Sequence, residues 1–301
     1  SVMHAAPVLT LKGRNLHIEG TLIMGVVNAS PESFSDSNTS FQSQQLLAED
    51  LIANGADIIY VGGQSAITNQ PELDAAIEIE RVLPIVDWLH RTHPEVLISV
   101  DTYKPDVVTA VLEAGASIIN DVSGLAYPEV AQLCATHEAA LVVMHTAAAP
   151  KVRLQDPALY ADVTGDVLEF LTQKMAQAEA LGLPRESLII DPGPDFTKTP
   201  HQTVQLLREL PKVRALGRPV LLALSRKDFL GAITGKTPRG RDAATHAAIA
   251  LCTQTPGNIV RVHDVEAARD VIRTVDVLIG RAEIPVDYRL AETLRREPPR
   301  Q

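Results

Sequence analysis

The sequence predicts a parallel α/β fold in the form of a single TIM (β/α)8 barrel. Eight short apolar runs rich in Ile, Val and Leu recur along the chain, with helical patterns between them. The runs alternate little between apolar and polar residues, which is typical of strands buried on both faces of a parallel sheet. No linker or change in composition divides the chain, so we expect one domain over residues 1–301, with the barrel core at about 20–280.

The predicted strands follow one another at the spacing of a repeated β-α unit. They are Leu22–Val27, Ile58–Val61, Leu97–Val100, Ile118–Asn120, Leu141–Met144, Leu188–Ile190, Val220–Leu224 and Ile259–Val262. The phrases "NGADIIYVGG" and "AGASIINDVSG" each join a helix-ending Gly-Ala to a strand and indicate two copies of one unit. A doubly wound open sheet is the alternative, but no Gly-x-Gly-x-x-Gly follows the first strand. The tail from Arg289 is predicted to form a last amphipathic helix that ends in disorder.

Composition disfavours several classes of function. The formal net charge of −10 argues against a nucleic-acid-binding surface, because a phosphate backbone would repel most of the molecule. No apolar run approaches the roughly 20 residues of a membrane span, and the N-terminus lacks the pattern of a signal peptide. Two cysteines give neither a disulfide framework nor a zinc spacing. We therefore expect a cytoplasmic protein that binds a small molecule.

Polar side chains stand at the carboxyl ends of the predicted strands, where parallel sheets and barrels bind ligands. The stretch "LLALSRKD" is the clearest case, because an apolar strand ends in three consecutive charged residues. Four compact polar groups of this kind are Asp101, Asn120, Asp191 and Lys227. Two carboxylates, an amide and an ammonium group can hydrogen-bond a flat heterocycle with several N–H donors and a carbonyl.

A second polar cluster is expected where the last and first strands meet after the barrel closes. Arg261 and His263 follow the last strand, and Asn28 follows the first. An arginine and a histidine beside an amide form a suitable cradle for an oxyanion or a pyrophosphate. The nine histidines show no metal-ligand spacing, so a histidine-bound metal has no support.

Structural roles compete with ligand contact at some strand ends. A helix cap is the alternative for Asp121, for Asp264 and, less strongly, for Asp101. Arg226 is expected to form an ion pair on the rim, and His145 to be a strand-end histidine with its hydrogen bonds satisfied.

The motifs at these strand ends, in this order, resemble those of the dihydropteroate synthase family from about Leu22 to Leu278. They are "IMGVVNASPESFSD", "SVDT", "INDVSG", "VVMH", "DPGPDFTK", "SRKDF" and "RVHD". The resemblance implies a TIM-barrel transferase of folate biosynthesis. Such an enzyme joins 6-hydroxymethyl-7,8-dihydropterin pyrophosphate to the aromatic amine p-aminobenzoate and releases pyrophosphate. The resemblance also implies Mg²⁺ as a cofactor and a homodimer formed through outer helices.

The resemblance further implies a role for each matching residue. Asp101, Asn120, Asp191 and Lys227 would hold the pterin ring, with Met144 and Phe196 beside it. Asn28 would bind Mg²⁺ and pyrophosphate, together with Arg261 and His263. Asp101, Lys227 and Arg261 are the expected catalytic residues, because a carboxylate stabilises positive charge in the pterin ring and positive donors stabilise the leaving pyrophosphate.

The region for the second substrate departs from the family pattern. In place of Glu-Ser-Thr-Arg the chain has Gln64, Ser65, Ala66 and Ile67, and an isoleucine cannot hydrogen-bond a carboxylate. Asp228 replaces a serine and is expected to repel the carboxylate of p-aminobenzoate, while Asp195 replaces a glycine before Phe196.

Two alternatives to a working synthase follow. One is a catalytically weak or inactive pterin-binding homologue, or a homologue that uses another acceptor. The other is a phosphate-binding aldolase with a Schiff base on Lys227, which is disfavoured because the sequence indicates no second buried lysine to lower its pKa.

Overall fold

Eight parallel strands form a closed barrel, so the predicted TIM (β/α)8 fold is confirmed. The computed structural model describes residues 5–30, 40–64 and 72–297. An antiparallel pair comes first in the chain, β1 (Val8–Leu11) and β2 (Arg14–His17). The barrel strands are β3 (Thr21–Asn28), β4 (Ile58–Gly62), β5 (Leu97–Asp101), β6 (Ile118–Asp121), β7 (Ala140–Met144), β8 (Leu188–Asp191), β9 (Val220–Leu222) and β10 (Asn258–Val262). Pairing of β10 with β3 closes the barrel.

Helices follow the barrel strands and cover them from outside. They are α1 (Phe41–Ala53), α2 (Ala75–Thr92), α3 (Pro105–Glu113), α4 (Glu129–Thr136), α5 (Val163–Ala180), α6 (Pro200–Arg208), α7 (Leu210–Arg214), α8 (Asp228–Thr234), α9 (Asp242–Cys252) and α10 (Val265–Leu278). Helix α6 begins with a complete capping box, in which Thr199 and Gln202 satisfy each other's backbone N–H groups. No helix among the described residues is long and apolar enough to span a membrane.

The inner face of the barrel changes from apolar to polar along the strands. Its lower layer is one buried apolar cluster, which includes Met24, Ile58, Leu97, Ile118, Ala140, Val142, Ile189, Leu221 and Ile259. Because side chains alternate along a strand, residues two positions further on share the same face. Those positions hold polar groups on several strands, among them Ser99, Asn120, Asp191 and Arg261. The strand period therefore places a polar layer at the carboxyl end.

The hairpin β1–β2 closes the opposite end of the barrel and was not predicted from the sequence. Its side chains Leu9 and Leu11 are buried in the lower apolar layer. Arg218 and Ser187, which precede β9 and β8, donate hydrogen bonds of 2.8 and 2.7 Å to carbonyls of the hairpin. The turn at Lys12 and Gly13 has positive φ at both residues, which suits a tight hairpin.

The predicted helix in the C-terminal tail is wrong. The described part of the tail, residues 289–297, contains only one 3-10 turn, Glu292–Leu294. Its side chains are exposed. A segment this short is marginal as a helix unless it packs an apolar face against the protein, and this one does not. Strand β9 also ends at Leu222, two residues before the predicted end.

Candidate active site

Four of the six residues predicted to hold a pterin lie on four adjacent strand ends. Asp101 pairs in register with Asn120 across β5 and β6, and Met144 pairs with Asp191 across β7 and β8. Asn120, Met144 and Asp191 are buried. The strand order thus brings together side chains that are up to 90 residues apart in the chain.

Asn120 has a buried amide without a protein partner among the described residues. Both Nδ2 and Oδ1 lack a hydrogen bond, and the hydroxyl of Ser99 on the neighbouring strand lacks one too. Buried polar groups in proteins are nearly always hydrogen-bonded. An amide with one donor group and one acceptor that are both unused is therefore suited to pair with a ligand.

Two carboxylates lie on nearby strand ends, Asp101 on the strand next to that of Asn120 and Asp191 two strands away on the other side. The hydroxyl of Tyr60 donates to Oδ2 of Asp101. Burial raises the pKa of Asp101 to about 6, although the hydrogen bond from Tyr60 and the charge of Arg261 oppose the rise. Burial also raises the pKa of Asp191, and the charge of Lys227 offsets part of this rise. Both acids can accept N–H donors when ionised.

Lys227 lies at the start of α8 and faces the same region. Its ammonium group donates to the carbonyl of Pro194 at 2.9 Å and lies 4.9 Å from the centre of the Phe196 ring. Burial is the main cause that lowers the pKa of Lys227 to about 8, and repulsion by Arg261 adds to it. Phe196 and Lys227, the remaining two predicted pterin residues, are thus in contact with each other.

The second predicted cluster lines a neighbouring cavity of about 200 Å³. Asn28, Arg261 and His263 all face this cavity. Ser225 Oγ lies 2.7 Å from Nδ1 of His263, and burial lowers the pKa of His263. A smaller cavity of about 90 Å³, with Asp101 and Phe196 in its wall, shares Tyr60, Gln64 and Arg261 with the first.

The loop between β8 and α6 is held by a buried lysine that the sequence analysis missed. Lys198 donates to Nδ1 of His145 at 2.8 Å, to the carbonyl of Gly193 at 2.8 Å and to that of Phe196 at 3.0 Å. The statement that no second lysine is buried is therefore wrong. Burial lowers the pKa of Lys198 to about 7. The motif "DFTK" contains this lysine, but nothing in the pattern distinguishes it from an exposed one.

The other ring nitrogen of His145 lies 2.7 Å from Oδ2 of Asp166, so both nitrogens have partners, as expected for this histidine. Burial lowers the pKa of His145 to about 4, which keeps the ring neutral. A neutral ring donates from Nε2 to the carboxylate and accepts from the lysine at Nδ1.

The same loop contains two non-glycine residues with left-handed backbone. Asp195 has φ of 68° and Thr197 has φ of 54°, next to Gly193 at 70°. Glycine adopts positive φ without steric cost, so the φ of 68° explains why a glycine suits the position of Asp195. Here the carboxylate compensates, because Asp195 accepts hydrogen bonds from Thr203 Oγ1 and from the backbone N–H of Phe229, both at 3.3 Å.

Two of the four helix-cap and ion-pair roles expected at the strand ends are observed, and two are not. Asp264 caps α10 through the N–H of Ala267 at 3.0 Å, and Arg226 forms the expected rim ion pair, with Asp242 at 2.9 Å. Asp121 does not cap a helix, since it accepts from the N–H of Ser123 within a turn. Asp101 does not cap one either, because the residue before α3 is Lys104.

The region for the second substrate is described in part. Ser65, Ala66 and Ile67 lie outside the described residues. Gln64 accepts from the N–H of Leu73 at 2.9 Å. Asp228 is exposed and forms an ion pair of 3.0 Å with the buried Arg241. Its negative charge is therefore partly balanced by a cation that belongs to the chain itself.

The chain is similar to known proteins over most of its length. A family profile described as "Pterin binding enzyme" matches residues 24–263. A curated dihydropteroate synthase of Streptococcus pyogenes serotype M3 is 39% identical over 268 residues, which cover 87% of this chain and 97% of the relative.

Solved structures of such synthases superimpose on the whole barrel. One is the enzyme of Xanthomonas albilineans with 4-aminobenzoic acid, with a TM-score of 0.81, 36% identity and coverage of 89% of this chain and 97% of that one. Another is the Burkholderia cenocepacia enzyme complexed with 7,8-dihydropteroate, with a TM-score of 0.83, 33% identity and coverage of 93% and 99%. From its barrel, its strand-end residues and these relatives, the chain belongs to the dihydropteroate synthase family of pterin-binding enzymes.

Proposed function

We propose that the barrel mouth carries the family's reaction in two adjoining parts, one for the pterin ring and one for the pyrophosphate. As a dihydropteroate synthase-type transferase, the chain condenses 6-hydroxymethyl-7,8-dihydropterin pyrophosphate with p-aminobenzoate. The observation that carries the assignment is the buried amide of Asn120, which has no partner among the described residues and lies on the barrel wall between Asp101 on β5 and Asp191 on β8, with Lys227 just after β9. The ligands named for the Xanthomonas and Burkholderia structures support the same substrates.

In the pterin part, Asn120 pairs with one donor and one acceptor of the ring, while Asp191 and Asp101 accept N–H groups. Lys227 donates to the ring carbonyl, and Met144 and Phe196 pack against the ring faces. Above its pKa of about 6, Asp101 is ionised and stabilises positive charge that spreads into the ring as the bond to pyrophosphate breaks.

In the pyrophosphate part, Arg261 and His263 donate hydrogen bonds to the leaving group. Mg²⁺ fits here, because it usually takes one or two protein ligands and completes its shell with water and substrate phosphates. Asn28 supplies one amide oxygen, which accepts from the N–H of Ser30 at 2.9 Å and keeps a second lone pair. When bound, the metal would neutralise charge on the departing oxygens.

The amine attacks the methylene carbon from the side of Lys227. A cavity of about 440 Å³ borders this lysine and is lined also by Asp195, Phe196 and Asp228. A carboxylate-bearing amine meets two acids there. The cations of Lys227 and Arg153 line the same cavity and offset part of this negative charge, so a weakly active or inactive pterin-binding homologue is the second candidate function.

Pyrophosphate release from the pterin substrate with Mg²⁺, measured with and without p-aminobenzoate, tests the assignment. We expect amine-dependent release that Arg261→Gln reduces and the matched control Arg185→Gln leaves unchanged, because Arg185 is a surface residue paired with Glu179. Calorimetric binding of the pterin without any release would establish the non-catalytic alternative. Absence of both heat and release would contradict both candidates.

We also propose a homodimer in the cytoplasm, formed through α9 and α10. Leu251, Leu278 and Ile279 on or next to these helices are exposed, by 74%, 81% and 42% respectively. Apolar side chains exposed on packed neighbouring helices favour association with a second copy. The free thiols of Cys134 and Cys252 suit a reducing compartment. Sedimentation should give a dimer for the wild type and a monomer for Leu251→Glu; a monomeric wild type would refute the proposal.

A further inference from the structure

Tyr60 lies between the two parts of the candidate site. It occupies the middle of β4, and its side chain lines both the cavity with Asn28 and His263 and the cavity with Asp101. The tyrosine is therefore the shared wall of the two cavities.

One end of this side chain holds Asp101. The Tyr60 hydroxyl donates the only hydrogen bond that the described residues make to the Asp101 carboxylate. Burial raises the pKa of Tyr60 well above its usual value, so the phenol keeps its proton and acts as a donor. A hydrogen bond to the charged form of an acid favours ionisation.

The ring face of the same side chain holds Arg261. The guanidinium carbon lies 4.9 Å from the ring centre, within the distance of a cation–π contact. Across the described part of the chain Arg261 forms no ion pair. The Tyr60 ring is thus the main contact of the Arg261 guanidinium, and it keeps this cation on the pyrophosphate side.

We propose that Tyr60 is a positioning residue that fixes Asp101 and Arg261 in one arrangement through its hydroxyl and its ring, and so couples the pterin part to the pyrophosphate part. The inference rests on the proposed function for the roles of these two partners. The contacts themselves exist in the ligand-free protein, so they can be tested without catalysis.

Two variants separate the two contacts. Tyr60→Phe removes the hydroxyl and keeps the ring under Arg261, while Tyr60→Leu removes both. Tyr288→Phe is the matched control, because Tyr288 is exposed in the tail. The other charges that act on Asp101 are those of Arg261, Glu78 and Asp191, and Asp101 in turn acts on Asp121. Tyr60→Phe leaves all of these groups in place, whereas Tyr60→Leu releases Arg261, so the titration of Asp101 uses Tyr60→Phe.

The first measurement is a carboxyl ¹³C NMR titration of Asp101 in the ligand-free protein, with the signal assigned through Asp101→Asn. Tyr60→Phe should raise the midpoint by about one pH unit, because the lost hydrogen bond favoured the ionised acid. The acid limb of the pH profile of pyrophosphate release should move by the same amount. An unchanged midpoint in Tyr60→Phe would overturn the hydroxyl contact.

The second measurement is calorimetric binding of the pterin pyrophosphate at high pH, where Asp101 is ionised in every variant. Tyr60→Leu should weaken binding roughly tenfold relative to Tyr60→Phe, because Arg261 loses its ring. Equal affinities of the two variants would overturn the ring contact. If the wild type neither binds the pterin nor releases pyrophosphate, the proposed function fails, and the NMR titration still decides whether Tyr60 controls Asp101.

Discussion

A buried acid that must ionise for its function reduces the stability of the ligand-free protein. The folded-state pKa of Asp101 is about 6, above the usual 3.8, because the protein environment disfavours the charged form. Its contribution to stability is therefore greatest at low pH and falls as pH rises from about 4 to 6. Binding of a ligand with N–H donors would reverse part of this cost.

We expect Asp101→Asn to raise the free energy of unfolding at pH 8 by about 2 kcal/mol, since the amide does not ionise. Chemical denaturation at pH 8 and pH 4 measures the effect, and the difference between the two proteins should shrink at the lower pH. The charge of Asp101 is one cause that raises the pKa of Asp121 to about 6, so the variant also relieves Asp121, and this effect adds to the difference at pH 8. A constant difference across this range would show that Asp101 titrates normally.

Asn120 offers a second case in which function and stability oppose each other. We expect Asn120→Leu, which keeps the number and branching of the side-chain heavy atoms, to raise the free energy of unfolding by about 1 kcal/mol, because it removes a buried amide without partners among the described residues. The same change should abolish the heat of pterin binding. A variant that is less stable than the wild type would mean that the amide has partners of its own in the free protein.

At this scale the sequence reveals residues whose type is unusual for their place. Asp101, Asn120 and Asp191 could be predicted because each interrupts an apolar run at its carboxyl end. Tyr60 could not, because an aromatic residue within "IIYVG" is an ordinary strand former. The role of Tyr60 depends on its contacts with Asp101 and Arg261, which lie on other strands. A single sequence does not show which side chains on different strands are in contact.

At the scale of elements, the loop that joins β8 to α6 carries backbone strain next to the candidate site. A β-branched residue such as Thr197 rarely adopts positive φ. The Tyr160 hydroxyl donates to the carbonyl of Thr197 at 3.0 Å, and the N–H of Ala147 donates to the hydroxyl of Thr197 at 3.0 Å. Together with the three hydrogen bonds of Lys198, these contacts hold the loop in a conformation that places Phe196 against Lys227.

We expect Lys198→Met to lower the free energy of unfolding by roughly 2–3 kcal/mol at pH 9, because buried acceptors, among them the carbonyls of Gly193 and Phe196, lose their donor. The loss should be smaller at pH 7. The pKa of Lys198 is lowered to about 7 in the folded protein, so holding it charged destabilises the wild type below that pH, and the penalty declines as pH rises toward 10.5.

Chemical denaturation at the two pH values, with Lys212→Met as the surface control, measures this difference. Pterin affinity should fall in Lys198→Met alone, because Phe196 and Lys227 lose their fixed positions. If Lys198→Met is as stable as Lys212→Met and keeps wild-type pterin affinity, Lys198 does not hold the loop.

Elements with a strong apolar signal were predictable, and elements defined by packing were not. All eight barrel strands could be located because each is a short Ile- and Val-rich run between helical patterns. The hairpin of β1 and β2 carries a weaker signal, since β2 is mostly exposed and its partner holds only four residues. The hairpin is stabilised by burying Leu9 and Leu11 against the open end of the barrel, a contact that the local sequence does not show.

For the molecule as a whole, the two ends of the barrel serve different purposes. The carboxyl end holds the polar layer and both cavities, whereas the other end is filled by apolar side chains and the hairpin. In barrels of this type, residues at the bottom contribute to stability and those at the top to chemistry.

Leu9→Ala tests this division. We expect it to lower the free energy of unfolding by about 3 kcal/mol through the cavity that it leaves in the lower layer. Pterin affinity of the folded fraction should stay unchanged, as it should in the control Leu290→Ala on the exposed tail. A change in affinity as large as the change in stability would show that the two ends are coupled.

The hairpin also sets an order of events during synthesis. Val8 accepts its hydrogen bond from Arg218, 210 residues later, so β1 and β2 leave the ribosome well before the segment that covers them. A nascent chain that ends before β9 would expose Leu9, Leu11 and the lower ends of six strands. Such a chain would leave this apolar surface open to aggregation until translation supplies β9 and β10.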